Sequence, residues 1–275
     1  MVYVGQREVA FLDSNQDFGL NYLGSEDATT CHIIVLQNSR TKLTALAHLD
    51  SVKSKGLDRV CKKLCLENSN DEIIVHVFGG YEDENQTSEE LSLKFFKYLI
   101  RSDFHFALGY CVIGQFNTSF GDETSKAKYP RPIIYGIAVQ IDNGEIYPAE
   151  FPDHGPDGQL RHVRLSFRQF ESYEEYHEAK DYLDEDFDEK SGIFTIKPFG
   201  FGRSPDLNFI AKASDKFILE NMSTSPKVEP KHFCSEIRCA VKLILDHPNP
   251  EISLFKNNLP RKYEYSKSEQ KWKQI

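Results

Sequence analysis

Two apolar runs, Cys31–Leu36 and Leu43–Leu49, lie close together, with the turn-forming residues Asn38-Ser39-Arg40-Thr41 between them. Short apolar runs bounded by turn residues read as buried strands, and so short a connection pairs them as an antiparallel hairpin. The start of the first strand then lies beside the end of the second, which brings Cys31 close to His48. Successive side chains in a strand point to opposite faces, so His32 is expected to turn away from whatever Cys31 addresses. An imidazole beside a thiol can take its proton and create a nucleophile. The small, polar loop ahead of Cys31, from Leu23 to Thr30, carries amides that can face a developing oxyanion. Two interpretations of the pair stand at this point: an activated nucleophile, or a packed thiol beside a satisfied histidine.

Elsewhere the pattern alternates between hairpins and helices. Glu72–Phe78 reads as a buried strand ended by Gly79-Gly80, and Ser88–Arg101 as a helix with Leu91, Phe95, Tyr98 and Leu99 facing the core. Thr87 and Glu90 have capping-box spacing at its start. Ala107–Ile113 and Ile133–Ile141 are strand candidates, the second returning through Asp142-Asn143-Gly144 to Glu145–Tyr147. Ser172–Leu183 and Lys231–Asp246 have helical patterns, Asp184–Glu189 reads as a solvated acidic loop, and the tail around Tyr263, Tyr265 and Trp272 as a last hairpin. No repeat or linker interrupts residues 1–275, which are expected to form one α+β domain of layered sheets and helices.

Lys plus Arg number 33 against 42 Asp plus Glu, a net charge of −9, and no basic block stands out, which argues against a nucleic-acid partner. No apolar run approaches the length of a membrane helix, and Met1–Phe11 has no signal-peptide pattern, so the expected setting is inside the cell. The six cysteines are scattered without a C-x-x-C pair; Cys61 and Cys65 lack a second ligand pair for zinc.

Several separated segments carry a resemblance: Tyr3–Glu8, Leu23–Cys31, Val75–Gly80, Pro132–Val139 and Ile218–Pro226. Together they make the whole chain similar to the protein N-terminal asparagine amidohydrolase family. The resemblance implies removal of the side-chain amide from an N-terminal Asn, leaving N-terminal Asp, which is then arginylated and feeds N-degron degradation. It implies substrates that are proteins or peptides with a free N-terminal Asn, a monomer, and an address in the cytoplasm, with the nucleus also open. The family's catalytic cysteine falls on Cys31. A more distant likeness to bacterial chemoreceptor glutamine deamidases places a hydroxyl on Ser25 and the imidazole on His48, and implies an α-β-β sandwich. Family members carry further chain before Tyr3-Val4, so the packing of the first strand is an open expectation here.

The chemistry so implied needs no metal and no cofactor: Cys31 attacks the carboxamide, His48 moves the proton, and Ser25 orients the imidazole. A free α-ammonium calls for a carboxylate, with Asp27 and Asp50 the chosen candidates and Glu26 also nearby; Thr30, and Thr29 beside it, are expected at the pocket. Gly79-Gly80 fits either a substrate approach or a strand-ending turn, Tyr135 fits the core, and no chemistry attaches to Ser223-Thr224-Ser225-Pro226. The competing classes are a non-catalytic module binding peptide N-termini and a cysteine peptidase or transglutaminase-like enzyme. The latter usually sets its cysteine at a helix start, where the dipole lowers the thiol pKa. Strand alternation makes a direct prediction: His48→Ala should lower turnover by about 10²–10⁴, the range for losing a positioned acid–base group, and His32→Ala far less, as steady-state kinetics on an Asn-initiated peptide would register.

Overall fold

The computed structural model describes residues 1–121, 129–170, 172–202, 204 and 206–275. The frame that holds the site comprises β1 (Val2–Tyr3), β2 (Val9–Leu12), β3 (Tyr22–Ser25), β4 (His32–Asn38) and β5 (Thr44–Leu49). It continues through helix α1 (Ser54–Leu64), β6 (Glu72–Gly79), helix α2 (Thr87–Arg101), β7 (His105–Val112) and helix α3 (Gly158–Phe167). Five strands form the central sheet in the order β2-β5-β4-β6-β7, antiparallel except for β6 with β7. A second sheet joins β1, β3, Ile137–Gln140 and Ile146–Pro148; a third joins Phe187–Asp188, Ile193–Ile196, Arg261–Ser266 and Lys271–Gln274.

The two-residue period of the strands explains the layering. Ile34, Leu36, Ala45, Ala47 and Leu49 share one face of the central sheet, where Leu57, Val60 and Leu64 of α1 and Phe95 of α2 cover them. Ile33, Val35 and Leu46 share the other, packed with Leu23, Ile137 and Val139 of the second sheet. Leu160 and Val163 of α3 and Val241 and Ile244 of the Phe233–Asp246 helix join this core. The result is an α+β fold with antiparallel sheets and flanking helices. The first strand is well held: Val2 is fully buried and pairs with Leu23 in parallel register. Among the described residues no helix is long and apolar enough to cross a membrane.

Three local expectations are corrected. Helix α2 is not capped by Thr87 and Glu90; the Asp83 carboxylate accepts from the backbone N–H groups of Thr87 (3.0 Å) and Ser88 (2.9 Å). Thr87 lies inside the helix, and Glu90 instead accepts from Lys94. The Ile133–Ile141 segment is strand only over Ile137–Gln140. The acidic run Asp184–Glu189 is not solvated throughout, because cations reach it from within. Arg164 donates to Asp186, Lys63 reaches Glu185 and Glu189, and Phe187 is buried between them.

A buried carboxylate, Glu8, is 6% exposed. It accepts from Arg161 Nε (2.9 Å), Arg161 Nη2, Arg164 Nη2 (2.7 Å) and the Gly5 N–H (2.8 Å). Burial opposes a charge here, but the guanidinium of Arg161, and then that of Arg164, hold the Glu8 carboxyl below the usual carboxylate range. Arg161 also donates to the Tyr3 and His154 carbonyls, so β1, the stretch ahead of β2, and α3 meet at one carboxylate. Glu8→Gln should cost about 3–5 kcal/mol, because it strands buried guanidinium charge. Wild type should also lose stability as pH falls from the ordinary glutamate pKa toward the depressed one, a slope the variant lacks; urea melts across pH would measure both.

Candidate active site

β4 and β5 pair with Ile33 opposite His48 and His32 opposite Leu49. Cys31, two residues before Ile33, therefore shares a sheet face with His48, and the two line one cavity of about 530 Å³. His32 points the other way, its Nε2 2.7 Å from Ser92 Oγ on α2. Ser25 reaches His48 from the second sheet: its Oγ lies 2.9 Å from His48 Nδ1, and it is fully buried. His48 Nε2 is buried and has no hydrogen-bond partner among the described residues. The backbone of His48 is also fixed, its carbonyl accepting from Arg7 N–H (2.8 Å) and its N–H donating to the Glu8 carbonyl (3.2 Å).

Burial sets the protonation states. It pushes the His48 pKa down to about 4, and it raises the Cys31 thiol well above its ordinary value, with the charges of Asp50 and Glu229 adding to the rise. The resting pair is a neutral thiol beside a neutral imidazole.

Part of the cavity wall is acidic. Asp27, at φ +63°, holds His232 Nε2 at 3.0 and 3.1 Å. Glu26 accepts from His154 Nε2 (2.7 Å) and from Phe151 N–H (2.8 Å), and Glu236 lies 3.6 Å from His154 Nδ1. Glu229 accepts from Ser223 Oγ and Ser225 Oγ and also lines the cavity. Burial raises the pKa of Asp27, Glu229 and Glu236, and the Asp27 charge adds to the rise of the other two; neighbouring carboxylates raise His154 and His232 against burial. This end of the cavity favours a cation. Oxygen and nitrogen donors of Asp27, His232 and Glu236, or of Glu26, Asp27 and His154, also converge closely enough to hold a metal ion.

The other sequence candidates are placed as follows. Asp50 is tied to Arg7 Nε (2.5 Å), Gln6 Nε2 (3.1 Å) and Ser51 Oγ (2.9 Å), and does not line the cavity. Thr30 bonds Thr224 Oγ1 at 3.0 Å outside the lining, whereas Thr29, bonded to Ser225 Oγ at 2.8 Å, is part of it. Tyr135 is half-buried, and its carbonyl accepts from Ala28 N–H. The Ser223–Pro226 run, to which sequence attached no chemistry, supplies cavity wall and positions Glu229. Sequence reasoning gave no site role to Glu229, His154, His232 or Glu236; the available signal was one His and two Glu within Glu229–Glu236.

Gly79 and Gly80 admit the chain itself. A Cβ on Gly79 (φ +93°) would sit 2.7 Å from the Cys31 carbonyl oxygen, and one on Gly80 (φ +61°) 2.5 Å from His32 Cε1. Gly79→Ala should displace the Cys31 backbone and cost on the order of 10²-fold in kcat/KM, beyond any loss of stability seen by thermal melting.

Residues 1–274 match the family model described as protein N-terminal asparagine amidohydrolase. The chain is similar to proteins of that name from Sus scrofa (32% identical over 280 residues, 100% of this chain and 84% of the relative) and Homo sapiens (33% over 262, 94% and 79%). An Arabidopsis thaliana protein of the same name is 27% identical over 286 residues, 96% of this chain and 78% of the relative.

Proposed function

The chain belongs to the protein N-terminal asparagine amidohydrolase family, and we propose that it converts N-terminal Asn of proteins and peptides to Asp by a Cys31 thiolate and a thioester. The observation that carries this is that Cys31 and His48, its Nε2 unpartnered among the described residues, line one cavity together with acidic side chains, while Ser25 bonds the imidazole at Nδ1. His48 Nε2 takes the thiol proton as sulfur attacks the side-chain carbonyl carbon. Ser25 accepts from Nδ1–H and so keeps the lone pair on Nε2. The Cys31 N–H and a loop amide stabilise the oxyanion. His48 returns the proton to the departing ammonia, then activates the water that cleaves the thioester. Product N-terminal Asp suits a route into N-degron degradation.

Asp27 and Glu229 bind the substrate α-ammonium, and Asp50, neutralised by Arg7, does not. This choice links recognition to chemistry. Glu229 is one of the charges that keep the thiol protonated. A cation arriving beside it weakens that effect and makes the thiolate easier to form. N-terminal selectivity then appears in kcat as well as in KM. The alternative of a binding module without chemistry leaves the unpartnered imidazole nitrogen unexplained.

Mass spectrometry of an Asn-initiated peptide should show a gain of about one mass unit with ammonia release, absent with Cys31→Ala. The N-acetylated peptide and an N-terminal Gln peptide should react at least about 10²-fold more slowly. kcat/KM should fall on the alkaline side as the α-ammonium loses its proton near pH ~8. On the acid side, His48 should keep working well below the ordinary histidine pKa. Equal rates on free and acetylated peptides would refute the assignment.

A further inference from the structure

A second cavity, of about 300 Å³, adjoins the first, and Gln6, Glu8, Arg161 and Leu165 line both. Its charge is the reverse of the acidic wall. Among the described residues, Arg7, Lys53, Arg161, Arg164, Arg168 and Lys180 line it with Glu8 and Asp184, in a chain of net charge −9. Several of these charges are already paired. Arg161 and Arg164 are held by Glu8 and Asp186, Arg164 Nε reaches Asp184 at 3.1 Å, and Arg7 binds Asp50.

Among the described residues, Lys53 and Lys180 are not taken by a carboxylate, and Arg168 keeps one donor unused. The Lys53 side chain is buried, the residue being 4% exposed, and makes no hydrogen bond or ion pair with a described residue. The charges it feels most are Asp50, Arg7, Lys180 and Asp181; Asp50 is taken by Arg7 and Asp181 by Lys55 at 3.0 Å. Arg168 gives Nη2 to Glu175 (2.9 Å), while its Nε is buried without a partner. Lys180 is exposed, over the Tyr176 ring. An enclosed, unpaired ammonium is costly and is relieved by an anion.

Position identifies the anion. The Arg7 N–H donates to the His48 carbonyl, and Gln6 lines both cavities, so the basic cavity begins beside the His48 backbone. A substrate with its ammonium among Asp27 and Glu229 and its amide at Cys31 must send the rest of its chain away from the acidic wall. We propose that this basic cavity is a downstream substrate subsite that takes an Asp or Glu carboxylate from the polypeptide following the N-terminal Asn. The proposal rests on the amidohydrolase assignment above and adds a direction and a sequence preference to it. The site is then dipolar, with a cation bound at one end of the substrate and an anion at the other.

The test uses Asn-initiated peptides of Gly and Ser in which a single Glu, Gln or Lys moves from the second to the sixth position. At one or two adjacent positions Glu should exceed Gln in kcat/KM by about three- to tenfold, with Lys below Gln, and high salt should shrink the difference. Lys180→Gln, exposed and harmless to folding, should lower the Glu-to-Gln ratio. Lys53→Gln, checked by circular dichroism, should bring it close to one. A ratio within about twofold of one at every position, with the Gln peptides still deamidated, overturns the subsite. If even the Gln peptides release no ammonia, the amidohydrolase assignment itself fails and takes the subsite with it.

Discussion

The Glu8 carboxylate, buried between Arg161 and Arg164, is the interaction on which the remaining geometry depends. Its side chain draws α3 against the first strands, and its backbone carbonyl accepts from His48 N–H. The imidazole is therefore held from both sides: by the β5 backbone anchored to Glu8 and Arg7, and by Ser25 on the facing sheet. A charge placed so deep is expensive unless fully paired, and here two guanidiniums and the Gly5 N–H complete it. The same ion cluster forms the partition between the acidic and basic cavities, which share Glu8 and Arg161 in their walls.

The site trades resting reactivity for selectivity. A depressed histidine and a raised thiol hold the proton on sulfur until something changes the local field. Beside a buried thiol and imidazole a single charge has a larger effect than in water. On the proposed function, the acidic wall supplies a place for that charge, and the substrate brings it. A thiol kept protonated between turnovers is also less exposed to oxidation, since the thiolate is the reactive form.

The hairpin and the facing of Cys31, His32 and His48 were legible because a two-residue period leaves no freedom once the pairing is fixed. Ser25 could be placed only through the likeness to deamidases, since nothing local aims a serine on one sheet at a histidine on another. Helix α3 escaped notice for a physical reason. Pro156-Asp157-Gly158 looks like a turn, and Arg161 and Arg164 occupy inward positions where a helical pattern is expected to show apolar residues. The acidic segment Asp184–Glu189 was misjudged for the complementary reason, because its partners are those same inward cations. The choice between Asp27 and Asp50 turned on what else each touches: a histidine at the cavity wall, or an arginine behind it.

Segments far apart in the chain meet around Cys31. Thr29 and Thr30 pair with Ser225 and Thr224, and Asp27 holds His232 from 205 positions away. Ser25, Cys31 and His48 are synthesised well before the wall at residues 222–239. At 5–20 residues per second a ribosome needs roughly ten seconds or more to travel between them. Throughout that interval the emerging polypeptide carries Cys31 and His48 without the wall at residues 222–239. On the proposed reaction, a product terminated before residue 222 would hold the thiol and the imidazole but lack Glu229, one of the two carboxylates assigned to the substrate ammonium.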